Sequence, residues 1–204
     1  MTYRYACFIS YKRPPTWQAS PGNPAPDPSR HFLAQFAEVF QQELDSFLSL
    51  SVRSFRDVNL SPGSKYPREL SQNLCLSLCL VALVVPQYFE SEWCMAEWRG
   101  MAKFEQTRSR TPLIIPVLIS GDMRMLERQF EGRKAFDLRG VSTPTRQLRS
   151  NPRVRGKVQT IADMINNMGS RLKGAALEEC DAFSLGLGPD STKPLFPEKS
   201  PMEG

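Results

Sequence analysis

The sequence has a single histidine, His31, among 204 residues, and its five cysteines include no Cys-x-x-Cys pair. A structural zinc site needs four Cys or His ligands at close spacing, so none is expected. Ser-His-Asp or Cys-His catalysis would rest on His31 alone, beside a proline-rich stretch, and is disfavoured. No GxxxxGK[ST] or GxGxxG motif occurs, which removes the usual support for a P-loop or dinucleotide fingerprint. Long hydrophobic runs are missing too. The longest, Leu74 to Pro86, spans 13 residues and is broken by Ser77, whereas a membrane-spanning helix needs ~20. The first residues, around Tyr3-Arg4-Tyr5, lack the order of a secretion leader. An odd number of cysteines, with Cys75 and Cys79 inside an apolar run, suggests free thiols acting as small buried hydrophobes. The resulting expectation is a reduced, cytoplasmic protein with no membrane segment and no metal.

What is present is ordinary globular material: 41% hydrophobic and 23% charged residues. Three continuous β-rich runs stand out, Tyr5 to Ile9, Leu80 to Val85 and Leu113 to Ile119. Continuous rather than alternating runs predict strands covered on both faces, as in a parallel sheet. Pro116 has no N–H to give a ladder, so the third run is expected at an edge or a bulge. Weaker strands are expected at Val52 to Phe55 and Ala135 to Leu138. Helical periodicity marks Ser29 to Leu48, with Ser29 as N-cap, and Tyr66 to Leu76. It also marks a helix capped by Ser91 that runs to about Gln106, and Val154 to Leu172. Strands alternating with helices predict an α/β sandwich. Two segments fall outside this pattern: Pro14 to Pro28, with six prolines in 15 residues, and 174–204, with four prolines and no apolar period. The first reads as an extended loop and the second as a tail.

The net charge of +5 is unevenly spread. Arg124 to Lys157 holds ten basic and three acidic residues, or +7, leaving −2 for the remainder. Only two aromatic residues, Phe130 and Phe136, lie among these charges, fewer than a nucleic-acid platform requires. A solvated face is favoured over nucleic-acid binding.

Ligands of open parallel sheets bind beyond the carboxyl ends of the strands. The segments leaving those ends are Ser10 to Arg13, Arg56 to Ser64 and Gln87 to Glu97, and they should converge. Pro62-Gly63 suits the centre of a type II turn. Trp93 and Glu97, four apart at a helix start, share one face. The alternative for Glu97 is a carboxylate that only steadies the helix N-terminus.

At these segments the sequence resembles the Toll/interleukin receptor (TIR) domain family, in particular its bacterial-type NAD-cleaving members. Tyr5-Ala6-Cys7-Phe8-Ile9-Ser10-Tyr11-Lys12-Arg13 is similar to the family's first-strand signature. Phe55-Arg56-Asp57, followed by Leu60-Ser61-Pro62-Gly63, resembles its second strand and the loop after it. Val84 to Glu97 resembles its S-x-x-y-x-x-S-x-W-C-x-x-E block, and is the most specific of the three. The resemblance covers residues 3 to about 172. It implies a flavodoxin-like three-layer sandwich with a five-stranded parallel sheet. The domain would span 1–173, including a Pro-rich insertion at 14–28, and be followed by a flexible tail at 174–204.

The family divides into enzymes and scaffolds. The enzymes cleave the nicotinamide–ribose bond of NAD, releasing nicotinamide and ADP-ribose or a cyclic or conjugated variant, commonly in antiviral or immune defence. The resemblance implies Glu97 as the catalytic residue, with Phe8, Ser10, Arg13, Asp57, Pro62, Gly63 and Trp93 around the substrate. It implies NAD as substrate with no resident cofactor, self-association through TIR–TIR contacts, and a separate effector protein responding to the product. A lone carboxylate suits this chemistry. Nicotinamide leaves a cationic pyridinium as a neutral molecule, so the general acid that ordinary glycosidases need is not required. What remains is to stabilise the cationic sugar, which one anion can do. The alternative is a non-catalytic adaptor pairing through the Pro62-Gly63 loop, with Glu97 structural. The Pro14–Pro28 insertion departs from the family pattern. It either reshapes the cleft beside Arg13, with Trp17 as a stacking face for a base, or forms a surface for a partner.

Overall fold

The continuous apolar runs form the middle of a sheet covered on both faces. In the computed structural model, which describes residues 3–12, 28–56, 66–108, 112–122, 129, 132–141, 144–172 and 180, five strands pair in the order β2-β1-β3-β4-β5. They are β1 (Phe8–Tyr11), β2 (Phe55–Arg56), β3 (Leu80–Val84), β4 (Ile114–Leu118) and β5 (Phe136–Asp137), and all pairs are parallel. This is the flavodoxin-like order, in which the chain reverses direction across the sheet at β1 and β3. Every residue of β3 is fully buried, as its unbroken apolar sequence requires.

Among the described residues five helices cover the sheet: α1 (Pro28–Phe47), α2 (Tyr66–Cys75), α3 (Glu92–Arg108), α4 (Pro144–Ser150) and α5 (Pro152–Arg171). Helices α1, α4 and α5 pack together, while α2 packs with α3. In α1 the buried stripe is Phe36, Ala37, Phe40 and Leu44, and the Phe36 and Phe40 rings stack 6.1 Å apart. Helix α5 buries Val154, Val158, Ile161, Ala162, Ile165 and Met168 at the same spacing. Its start is capped by Asn151, whose Oδ1 accepts from the N–H groups of Arg153 (3.0 Å) and Val154 (3.4 Å). Gly169 lets this helix approach closely, because a Cβ there would lie 2.8 Å from Leu50 Cδ2.

Three expectations are corrected. Helix α1 begins at Pro28, so Ser29 lies inside its first turn and is not the cap. Proline suits that position because its missing N–H would have no helical partner. The Pro116 strand is interior, lying between β3 and β5. Ile119 N–H points to β3 and Leu118 C=O to β5. By alternation the nitrogen of Pro116 faces the β5 side, where pairing begins only at Val117. The missing donor therefore breaks no ladder bond.

The third correction concerns the cysteines. Cys75 is not free but forms a disulfide with Cys180 across 105 residues of sequence, while Cys7, Cys79 and Cys94 are buried free thiols. The bond closes the C-terminal end of α2 onto the chain beyond α5. Arg108, in the last turn of α3, donates to the carbonyl of Cys75 at 2.8 Å and lies 2.8 Å from its sulfur. The all-reduced expectation therefore fails at these two residues. Apart from Cys180, the segment expected as a tail lies outside the described residues, as does the Pro-rich insertion up to residue 27. Among the described residues no helix is long and apolar enough to cross a membrane.

Candidate functional site

Ser10 is the third residue of β1, near its carboxyl end, and pairs in register with Ala82 of β3. Beyond β3 the chain makes one turn of 3-10 helix over Pro86–Tyr88, with Tyr88 N–H bonded to Val85 C=O at 2.9 Å. Proline presets that turn. The turn carries the Tyr88 side chain back inside, edge-on to Phe89 (5.3 Å between ring centres) and Trp98 (6.3 Å). Ser91 follows, and its Oγ accepts from Cys94 N–H at 3.5 Å, capping α3 as expected.

Cap position and helical period then decide which residues of α3 face inward. Cys94, Trp98, Met101 and Phe104 are buried, and so is Glu97 between them, 5% exposed. Glu90 and Glu92 are exposed. Glu92 is the first residue of α3, where a carboxylate meets the helix dipole. Glu97 is the sixth, beyond the first turn in which that effect acts. Helix stabilisation therefore accounts for Glu92 and not for Glu97.

Three of the buried polar side chains, Ser10, Tyr88 and Glu97, meet at one point. Ser10 Oγ donates to Glu97 Oε2. Ser10 Oγ and the Tyr88 hydroxyl are 2.7 Å apart. Ser10 and Tyr88 are 1% and 0% exposed, so the cluster is screened from bulk water. Burial pushes the Tyr88 phenol well up from its ordinary pKa, and the neighbouring Cys94 and Glu97 add to this, against the Ser10 hydrogen bond. The cluster lies at the β1–β3 junction, where the strand order reverses, the position at which open α/β sheets bind ligands.

The fold brings Glu97 and Ser10 together from 87 residues apart. Phe8, on the Ser10 face of β1, is fully buried against Phe55, with ring centres 5.2 Å apart. Trp93, one turn before Glu97, is half-buried against the core. Arg13, Asp57, Pro62 and Gly63, and likewise Trp17, lie outside the described residues. Tyr88 was not assigned a role from sequence, although it stands inside the most specific of the quoted motifs. Among the described residues, no three His, Cys, Asp or Glu side chains gather as a metal ion would need.

The basic segment has a different character. Arg133 pairs with Glu105 at 2.5 Å, Arg139 with Asp137 at 2.8 Å and Arg149 with Glu43 at 3.2 Å. Arg139 holds the Asp137 carboxyl down at about 2. Several of these charges thus serve the protein's own surface. Two cavities, of 1040 Å³ beside Arg146 and Arg153 and of 550 Å³ beside Lys134 and Met164, are lined by neither Ser10, Tyr88 nor Glu97.

Comparison with known proteins gives matches to a family model and to solved structures. A family model described as "TIR domain" matches residues 29–150. Among solved structures, the chain is similar to one described as "Structure of the activated Roq1 resistosome directly recognizing the pathogen effector XopQ (TIR domains)". The two are 16% identical over 87% of this chain and 95% of that one, with a TM-score of 0.43. The search of curated proteins gave no match.

Proposed function

This chain belongs to the TIR domain family, and from that premise we propose that it is an NAD nucleosidase whose catalytic residue is Glu97. The observation that carries the reading is a carboxylate buried at the switch point of the sheet and held by Ser10. An ionised carboxylate is costly to bury, and here it stands where a ligand of this fold would bind.

The reaction breaks the bond between the ribose C1′ and the nicotinamide ring nitrogen. The bonding electron pair goes to the ring, which departs neutral, and positive charge develops on the sugar. Glu97 stabilises that charge and orients the ribose. Water adds to C1′ and loses a proton to give ADP-ribose, or an internal nucleophile closes a cyclic product. A fixed anion in a water-poor site suits this, because it meets the developing charge without reorganising. Phe8, Arg13, Asp57, Pro62, Gly63 and Trp93 are assigned to the substrate's surroundings on the family resemblance.

The same reading makes the protein a defence signal source, acting in the cytoplasm, self-associating through TIR–TIR contacts and addressing a separate effector through its product. The test is release of nicotinamide from NAD by purified protein, in dilute and assembled forms, followed by mass spectrometry of both products. Turnover that disappears in Glu97→Gln supports the reading. No turnover by the natural chain in any form refutes it and leaves the adaptor alternative.

A further inference from the structure

We infer that Tyr88 is a positioning residue for the Glu97 carboxylate and acts through Ser10, an inference that rests on the NAD-cleaving reading. The argument is one of hydrogen counting. A serine hydroxyl has one hydrogen and two acceptor lone pairs. That hydrogen is committed to Glu97, whose Oε2 accepts it. The contact between Ser10 Oγ and the Tyr88 hydroxyl must then run the other way, with the phenol donating. The result is a directed chain, Tyr88 to Ser10 to Glu97, in which each donor fixes the orientation of the next.

Packing alone does not call for this hydroxyl. The edge contacts of the Tyr88 ring with Phe89 and Trp98 would be made equally by phenylalanine. The phenol oxygen is instead spent on Ser10. The chain also joins the three elements around the switch point: β1, the turn after β3, and α3. Without the Tyr88 donor, Ser10 Oγ keeps an unmet acceptor in a site 1% exposed and is free to rotate away from the carboxylate. Charge-assisted bonds in such networks strengthen one another, so a loss at Tyr88 is felt at Glu97.

The test is a kinetic double-mutant cycle on NAD cleavage with Tyr88→Phe, Ser10→Ala and both together. Tyr88→Phe is expected to lower kcat about tenfold with KM changed less than about twofold, the pattern of an interaction used in the transition state. Because Tyr88 acts through Ser10, the double variant should be no slower than Ser10→Ala alone; independent residues would give multiplied losses. Multiplied losses, or an unchanged kcat in Tyr88→Phe, overturn the inference while leaving NAD cleavage standing. If Ser10→Ala does not fold, the kcat-against-KM split in Tyr88→Phe decides, and a change in KM alone overturns it. A natural chain that turns over no NAD overturns the function and this role together.

Discussion

Glu97→Gln separates charge from shape at the candidate site. The carboxamide has the size of the carboxylate, and its oxygen can still accept the Ser10 hydroxyl hydrogen. The negative charge is lost, and one acceptor oxygen becomes an NH2 donor. An anion and a sugar cation ~4 Å apart interact by about 4 kcal/mol at an effective dielectric constant near 20, or roughly three decades of rate. Removing comparable electrostatic elements elsewhere costs ~10²–10³ in kcat. The expectation for Glu97→Gln is therefore a 10²–10³-fold fall in kcat, with KM changed by less than about threefold. Stability should move the other way or stay still. Glu97 is 5% exposed, and replacing a buried charge with a neutral group of the same shape is often neutral or stabilising by ~1–4 kcal/mol. Nicotinamide release, read by chromatography and mass spectrometry, gives the first quantity, and urea unfolding the second. A variant that keeps kcat within about fivefold would refute the electrostatic reasoning. So would one that loses more than ~2 kcal/mol of stability, because the carboxylate would then be holding the fold together.

Three further predictions concern the frame around the site. Cys180→Ser should lower unfolding free energy by ~2–4 kcal/mol, the usual worth of a disulfide closing a long loop; the check is urea denaturation with and without reductant. The oxidised chain, once denatured, should show three reactive thiols, those of Cys7, Cys79 and Cys94, and five would contradict the bond. The Glu105 carboxylate accepts from the N–H groups of Leu113 (2.6 Å) and Ile114 (3.0 Å) and from Arg133 (2.5 Å), tying α3 to the start of β4. Glu105→Ala should cost about 3 kcal/mol by chemical denaturation, since it removes an acceptor from Arg133 and strands both amides. Asp137 has its folded pKa lowered to about 2 by Arg139, so its stabilisation is complete above about pH 4 and is lost as pH falls toward 2. Its side chain is 38% exposed, so solvent limits the effect to less than about 1 kcal/mol. Asp137→Asn should flatten that stretch of the acid limb in urea midpoints taken from pH 5 to pH 2.

How much of this could be read from residues alone depended on whether a local rule or a distant contact decided each element. β1, β3 and β4 were visible because two-sided burial leaves an unbroken apolar run, and the start of α3 because Ser91 caps it. Pro116 misled because the argument from a missing N–H assumed neighbours along the whole strand, whereas β5 pairs with only two residues of β4. Helix α4 was missed: seven residues between Pro144 and Pro152, with Leu148 buried, carry too little period to register. The Cys75–Cys180 bond joins residues 105 apart with no spacing rule behind it. In the site, Glu97 and Ser10 were legible from motif resemblance. Tyr88 was not, because its role depends on a turn that points it inward.

The sequence of α3 contains its own argument about Glu97. Positions 94, 98, 101 and 104 form the inward stripe of the helix, and position 97 belongs to the same stripe. Leucine or methionine there would continue the apolar surface and spare the cost of desolvating a charge. Two other glutamates stand within seven residues, Glu90 and Glu92, both exposed, and Glu92 already meets the positive end of the helix. A third carboxylate, turned inward, adds nothing to helix formation and works against burial. The fold nevertheless supplies Ser10 from another strand to hold it, and a tyrosine hydroxyl to hold Ser10. Polar groups that cost stability and are still fully oriented are what an active site requires and a core does not. That asymmetry supports the proposed enzymatic reading over the adaptor, for which an apolar residue at position 97 would serve as well.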